Sequence, residues 1–159
     1  RIGLIKHIYH EHVTDGGEVG FSQLADLGKL SREFLQIKND NGGVVEATED
    51  RDILVEYMDI QRCLMLPLSS ATLTMKLRDW FTDANQRRYS HISGQINATL
   101  GNNQVGLLLI GERHQIQFSS DIEVLFVAPP ALDEYRRWLG NWIDSQRSKA
   151  PKSEDLEEN

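Results

Sequence analysis

A single cysteine, Cys63, in 159 residues leaves this chain without any internal disulfide framework. Its neighbours Leu64, Met65 and Leu66 predict a small buried hydrophobe. Such sparse cysteine use fits a reducing compartment, and a cytoplasmic location is expected. No apolar run reaches the ~18 residues of a membrane span, and no signal-peptide pattern opens the chain. The first residue is Arg1 rather than Met, so a membrane tether upstream of residue 1 stays among the alternatives. Also missing are a G-x-x-x-x-G-K-S/T phosphate loop, a G-x-G-x-x-G turn and a G-x-S-x-G nucleophile elbow. No cofactor is therefore expected, and the reading leans away from an enzyme. Nor is there an excess of positive charge. The net charge is −7, and the last ten residues, APKSEDLEEN, carry −3 of it, which leaves −4 on residues 1–149. A general polyanion-binding surface needs clustered Lys and Arg, and this balance argues against one.

What is present is ordinary globular material, 40% hydrophobic and 26% charged. The length predicts a single domain over 1–144, with 145–159 as a flexible acidic tail. Ile2, Leu4, Ile5, Ile8, Tyr9 and Val13 fall on one side of a helical wheel, which predicts a helix over 2–13. Two more helices are expected from caps at Ser22 and Ser31, with Leu30, Phe34 and Ile37 at i, i+4 and i+7 of the second. After the turn at 39–43, residues 44–47 and 53–58 read as strands, with 61–66 as a third. A helix entered through Ser69 or Ser70 is predicted over 70–84. The strictly alternating HISGQINATL then predicts a half-buried strand. Residues 105–110 read as a central strand, 114–118 and 122–127 as two more, and 131–144 as a closing helix. Closely spaced strands favour a meander. The fold class expected is α+β, an antiparallel sheet with helices packed on one face and a helix-turn-helix-like N-terminal part.

The densest cluster of chemistry is HIYHEH, residues 7–12. On a helix His7, His10 and Glu11 share the polar side, and imidazoles with a carboxylate suit zinc. A solvated helix face explains the cluster as well, because the spacing is not H-E-x-x-H and no second ligand pair occurs. KNDNGGVVEATE echoes a calcium loop, but Lys38 and Gly42 occupy positions that need oxygen ligands, so a β-turn is expected. Asp79 and Asp83 lie one turn apart and could share a proton, though a solvated helix face explains them as well. Arg87 and Arg88 beside Tyr89 and His91 form a candidate anion contact. The sequon at Asn97 falls on a predicted strand and is read as fortuitous. Trp138 and Trp142, one turn apart, are either core or interface anchors.

FSQLADLGKLSREFLQI, residues 21–37, holds a short Leu-Ala helix, a glycine, a capping serine and a second helix. This segment resembles the helix-turn-helix of winged-helix regulators. The resemblance implies a DNA-binding role in which Arg32, Gln36 and Lys38 face the duplex. The expected wing, however, carries Glu46, Glu49, Asp50, Asp52 and Glu56 against Arg51 alone. The favoured reading is accordingly a non-catalytic regulatory or protein-interaction domain of a larger protein, acting through a protein partner or self-association. A winged-helix DNA binder comes second, and an enzyme with a His or carboxylate site third.

Overall fold

The computed structural model describes residues 3–25, 27–127 and 130–149. The chain forms two compact units, Arg1–Ile122 and Glu123–Asn159. In the first, the order is β1 (Ile5–His10), α1 (Gly17–Gln23), α2 (Lys29–Asp40), β2 (Val44–Val45), α3 (Arg51–Leu64), α4 (Ala71–Thr99) and β3 (Val105–Leu109). The second holds α5 (Pro130–Lys149).

The sheet has three strands in the order β2-β1-β3, and both pairings are parallel. Ile8 sits between Val45 and Leu107, and His10 opposes Leu109. This corrects the expected antiparallel meander. Successive strands are joined by helix pairs, α1 with α2 and then α3 with α4, and such crossovers permit parallel pairing where hairpins do not. Helices on one face only are also corrected. Ile8 packs with Val13, Leu24, Leu35 and Val45, while Tyr9 packs with Ile92, Ile96 and Ile116 on the opposite side.

That double covering explains why residues 2–13 read as a helix. β1 is the central strand, and its neighbours Ile8 and Tyr9 are 0% and 1% exposed. A strand buried on both faces has no polar-apolar alternation. The spacing of Ile5, Ile8 and Tyr9 imitates a helical stripe instead.

The strands expected at 53–58 and 61–66 are one helix, α3. Its cap is Asp50, whose carboxylate accepts the N–H groups of Asp52 and Ile53, each at 3.0 Å. Leu54, Tyr57, Ile60 and Leu64 recur at three- and four-residue spacing, and Tyr57 and Leu64 pack beside Ile60 against α4. In α4 Ser70 is the cap, accepting the Leu73 N–H at 3.2 Å. The helix then runs 29 residues, about 43 Å at 1.5 Å per residue, through the expected strand HISGQINATL. Ala84, Arg88, Ile92 and Ile96 form an unbroken buried row at four-residue spacing. Ile92, Ile96 and Leu100 satisfy a period of two and a helical period at once, and the helical one prevails because the row continues upstream.

β3 lies where a strand was expected, but at the sheet edge rather than its centre. Residues 114–118 and 122–127 form no strand among the described residues, yet Ile116, Phe118 and Ile122 still join the Tyr9 cluster. Helix α1 starts before Ser22, and α2 starts at Lys29 behind Gly28 rather than behind Ser31. Gly20 allows α1 to lie on its own entry loop, since a Cβ there would stand 2.0 Å from the Asp15 carbonyl oxygen. Cys63 is exposed, not buried. On α5, Trp138 and Trp142 are 58% and 50% exposed, and Tyr135 stacks on Trp138. Residues 150–159, most of the expected tail, lie outside the described residues. Among the described residues no helix is long and apolar enough to cross a membrane.

Candidate functional site

The chain leaves β1 toward β2 on one side, then returns past β1 to β3 on the other. In open parallel sheets such a reversal leaves a crevice at the carboxyl ends of the flanking strands. Here those ends are His10 of β1 and Leu109 of β3, and the Glu11 N–H donates to the Leu109 carbonyl at 3.0 Å. Gly111 follows beside the Glu11 carboxylate, with both oxygens 3.8 Å from where a Cβ would stand. His12 then adopts φ 73°, a left-handed conformation unusual for a side chain with a Cβ.

The segment after β2 is stitched to this loop. Thr48 and Glu49 both donate their backbone N–H to the Val13 carbonyl, at 3.0 and 2.8 Å. The buried Thr48 hydroxyl accepts from the His10 N–H at 3.1 Å, and a Glu49 oxygen lies 3.4 Å from the His12 nitrogen. Glu49 itself is engaged by Arg88 of α4. The guanidinium donates Nε–H to one carboxylate oxygen at 3.0 Å and Nη2–H to the other. The side chains are 0% and 3% exposed, and the Tyr57 ring lies 4.3 Å from the guanidinium carbon. Burial works against the Arg88 charge, but the Glu49 hydrogen bonds and charge outweigh it, so the group is held protonated more firmly than in water. The pair locks α4 to the carboxyl edge and fixes the backbone that carries His12.

Two further pKa shifts mark the neighbourhood. Hydrogen bonds from Thr14 and Gln23, with help from Arg51, hold the Asp15 carboxyl below its ordinary value. The Ile53 N–H does the same for the capping Asp50.

The residues singled out in the sequence are scattered. His7 and His10, three apart on a strand, face opposite sides of the sheet. His7 meets Glu46 at 2.7 Å through Nδ1 and Gln104 at 2.8 Å through Nε2. No group of three metal-ligating side chains assembles among the described residues. Arg87 bridges Glu56 and Asp83, both at 2.8 Å, and Arg88 is the buried partner of Glu49, so both arginines are already occupied by carboxylates. Asp83 is thereby paired with Arg87 rather than with Asp79. On α2, Arg32, Gln36 and Lys38 sit on one helix, where Gln36 holds Asp40 and Lys38 covers the Phe34 ring. Sequence reasoning placed Glu49 only among the acids of the expected wing and missed its pairing with Arg88. It lies 39 positions from Arg88, and no local pattern links the two.

Comparison with family models, curated proteins and solved structures returns no match to this chain. Fold and edge together define an open α/β domain whose parallel sheet carries helices on both faces.

Proposed function

We propose that this chain is a non-catalytic regulatory or interaction domain that works by docking a protein partner through its helices. The carrying observation is the apolar side chains left in solvent on helices that otherwise pack normally. Leu30, Phe34 and Ile37 form one stripe on α2, 81%, 43% and 55% exposed, while Leu35 on the other side is fully buried. An ordinary amphipathic helix turns such a stripe inward. The α3–α4 hairpin repeats the pattern near its tip, where Met65, Leu66, Leu73 and Met75 are exposed, with Trp80 farther along. Clustered exposed apolar groups mark interaction surfaces, and Trp and Met are favoured there. On α2 Lys29 pairs with Glu33 and Lys38 covers the Phe34 ring, which favours a protein surface over a nucleic acid. An exposed free thiol at Cys63 supports placement in a reducing compartment such as the cytoplasm.

The test is site-specific photocrosslinking in the source cell, with p-benzoylphenylalanine placed at Phe34 or Met75. One discrete adduct, absent from a control position on the exposed face of α4 such as Gln86, is expected. No adduct from either position would overturn the reading.

A further inference from the structure

At the carboxyl end of β1 a cleft of about 240 Å³ opens between the strand and α1, with His10, Glu11, His12 and Gln23 along its polar side and Val13 and Leu24 as its apolar wall. This is below the roughly 300 Å³ at which sites for drug-sized ligands begin, so it suits a small molecule. Its polar atoms are not evenly mixed. The Glu11 carbonyl can only accept, so His10 Nδ1 carries the proton in their hydrogen bond, and in the neutral ring Nε2 presents a lone pair. No hydrogen bond engages the Glu11 carboxylate among the described residues. The Gln23 amide, by contrast, is fully used: its oxygen accepts from the Thr14 N–H at 2.9 Å, and its nitrogen donates to Thr14 Oγ1 and Asp15 Oδ2 at 3.2 and 2.6 Å. The nearby cation Arg88 is taken up by Glu49. What stays open is therefore the Glu11 carboxylate charge with the His10 Nε2 acceptor beside an apolar wall, and the His12 imidazole, which brings one N–H donor and one acceptor when neutral.

Two independent features mark the same place. It lies at the reversal of the strand order, where ligands of parallel α/β sheets bind. It also contains His12, a non-glycine residue held in the left-handed region, and strain of this kind collects at functional sites.

We propose that this cleft binds a small organic ammonium ligand: the cationic N–H donors meet Glu11 and His10 Nε2, and a short apolar arm lies on Val13 and Leu24. No group of three His, Cys, Asp or Glu side chains that could hold a metal assembles among the described residues. An anion would meet the negative charge of the Glu11 carboxylate.

The experiment is a titration of the full chain followed by amide nitrogen–proton correlation spectra, with benzylammonium, benzyl alcohol and benzoate as matched probes. Benzylammonium is expected to give saturating shifts confined to Glu11, His12, Gln23, Leu24 and their neighbours. Benzyl alcohol should bind about tenfold more weakly, as should benzylammonium to Glu11→Gln, since a hydrogen bond to a charged group is worth about 1.5–3 kcal/mol. The comparison of probes on the unaltered chain stands even if the variant is poorly folded. Absence of saturating shifts, equal binding of benzyl alcohol, or preference for benzoate would each overturn the proposal. Tighter shifts of the same amides by zinc chloride alone would overturn it in favour of a metal site.

Discussion

Removing one member of the Glu49–Arg88 pair should be among the most damaging polar substitutions in this chain. Both side chains are withdrawn from water, at 0% and 3% exposure, and they meet through two hydrogen bonds. In Glu49→Gln the guanidinium stays buried against Tyr57 without its hydrogen-bonded counter-charge, and breaking such a pair typically costs about 3–5 kcal/mol. For a chain of this length, each kcal/mol lowers Tm by roughly 2–4 °C, so a fall of roughly 10 °C is expected. Urea unfolding followed by far-UV circular dichroism supplies the free energy directly. The double variant Glu49→Met, Arg88→Met removes both charges together and should recover most of the loss, because an apolar pair of similar volume is often no worse than a buried ion pair. The exposed pair Arg62–Asp59 is the internal control; its side chains are 68% and 62% exposed, and Arg62→Gln should cost under about 1 kcal/mol. If Glu49→Gln cost no more than Arg62→Gln, the buried clamp would not exist as described.

Gly20→Ala should destabilise by about 1–3 kcal/mol or more in the same unfolding assay, because the new Cβ must displace the Asp15 carbonyl from 2.0 Å; an effect within 0.5 kcal/mol, the usual range for surface changes, would show that α1 does not lie on its loop. At His12, φ 73° favours glycine, so His12→Gly should leave stability almost unchanged while His12→Val loses about 1–3 kcal/mol; equal losses would remove the left-handed turn. Burial raises the Tyr9 pKa above 10.0. The unfolded chain therefore releases that proton first, and stability should fall as pH climbs above 10.0. In Tyr9→Phe that alkaline slope should flatten, and an unchanged slope would refute the burial of the phenol. The Asp50 carboxyl is shifted the other way, below 3.8, so its contribution is present above that pH and is lost as pH falls through the lower folded value. Asp50→Asn keeps an oxygen at the α3 cap and should reduce this acid sensitivity in denaturation curves from pH 5 downward; an identical acid limb would count against the cap.

Local signals recovered what local physics determines. The Ser70 cap begins α4, a strand occupies 105–109, and an amphipathic helix follows Pro130. Strand direction was not recoverable in the same way. Tyr9 touches residues near position 96 and Val45 touches Ile8, and neither proximity leaves a periodic trace. β1 imitated a helix because it is buried on both faces, and the end of α4 imitated a strand because Ile92, Ile96 and Leu100 suit either period. HIYHEH lies at the carboxyl edge of the sheet, but the helix face expected for it gave way to a strand, on which His7 and His10 part to opposite faces. The clamp that organises the edge joins residues 39 positions apart. Nothing in the neighbourhood of either one announces the other.

The carboxyl edge, the reversal and the cleft all follow from β1 as the central parallel strand. Nuclear Overhauser contacts measured across residues 5–10 test this most directly. Cross-strand contacts from Ile8 to both Val45 and Leu107, and from His10 to Leu109, are predicted. Sequential i to i+3 contacts over 5–10, or an antiparallel pattern between β1 and β3, would contradict it.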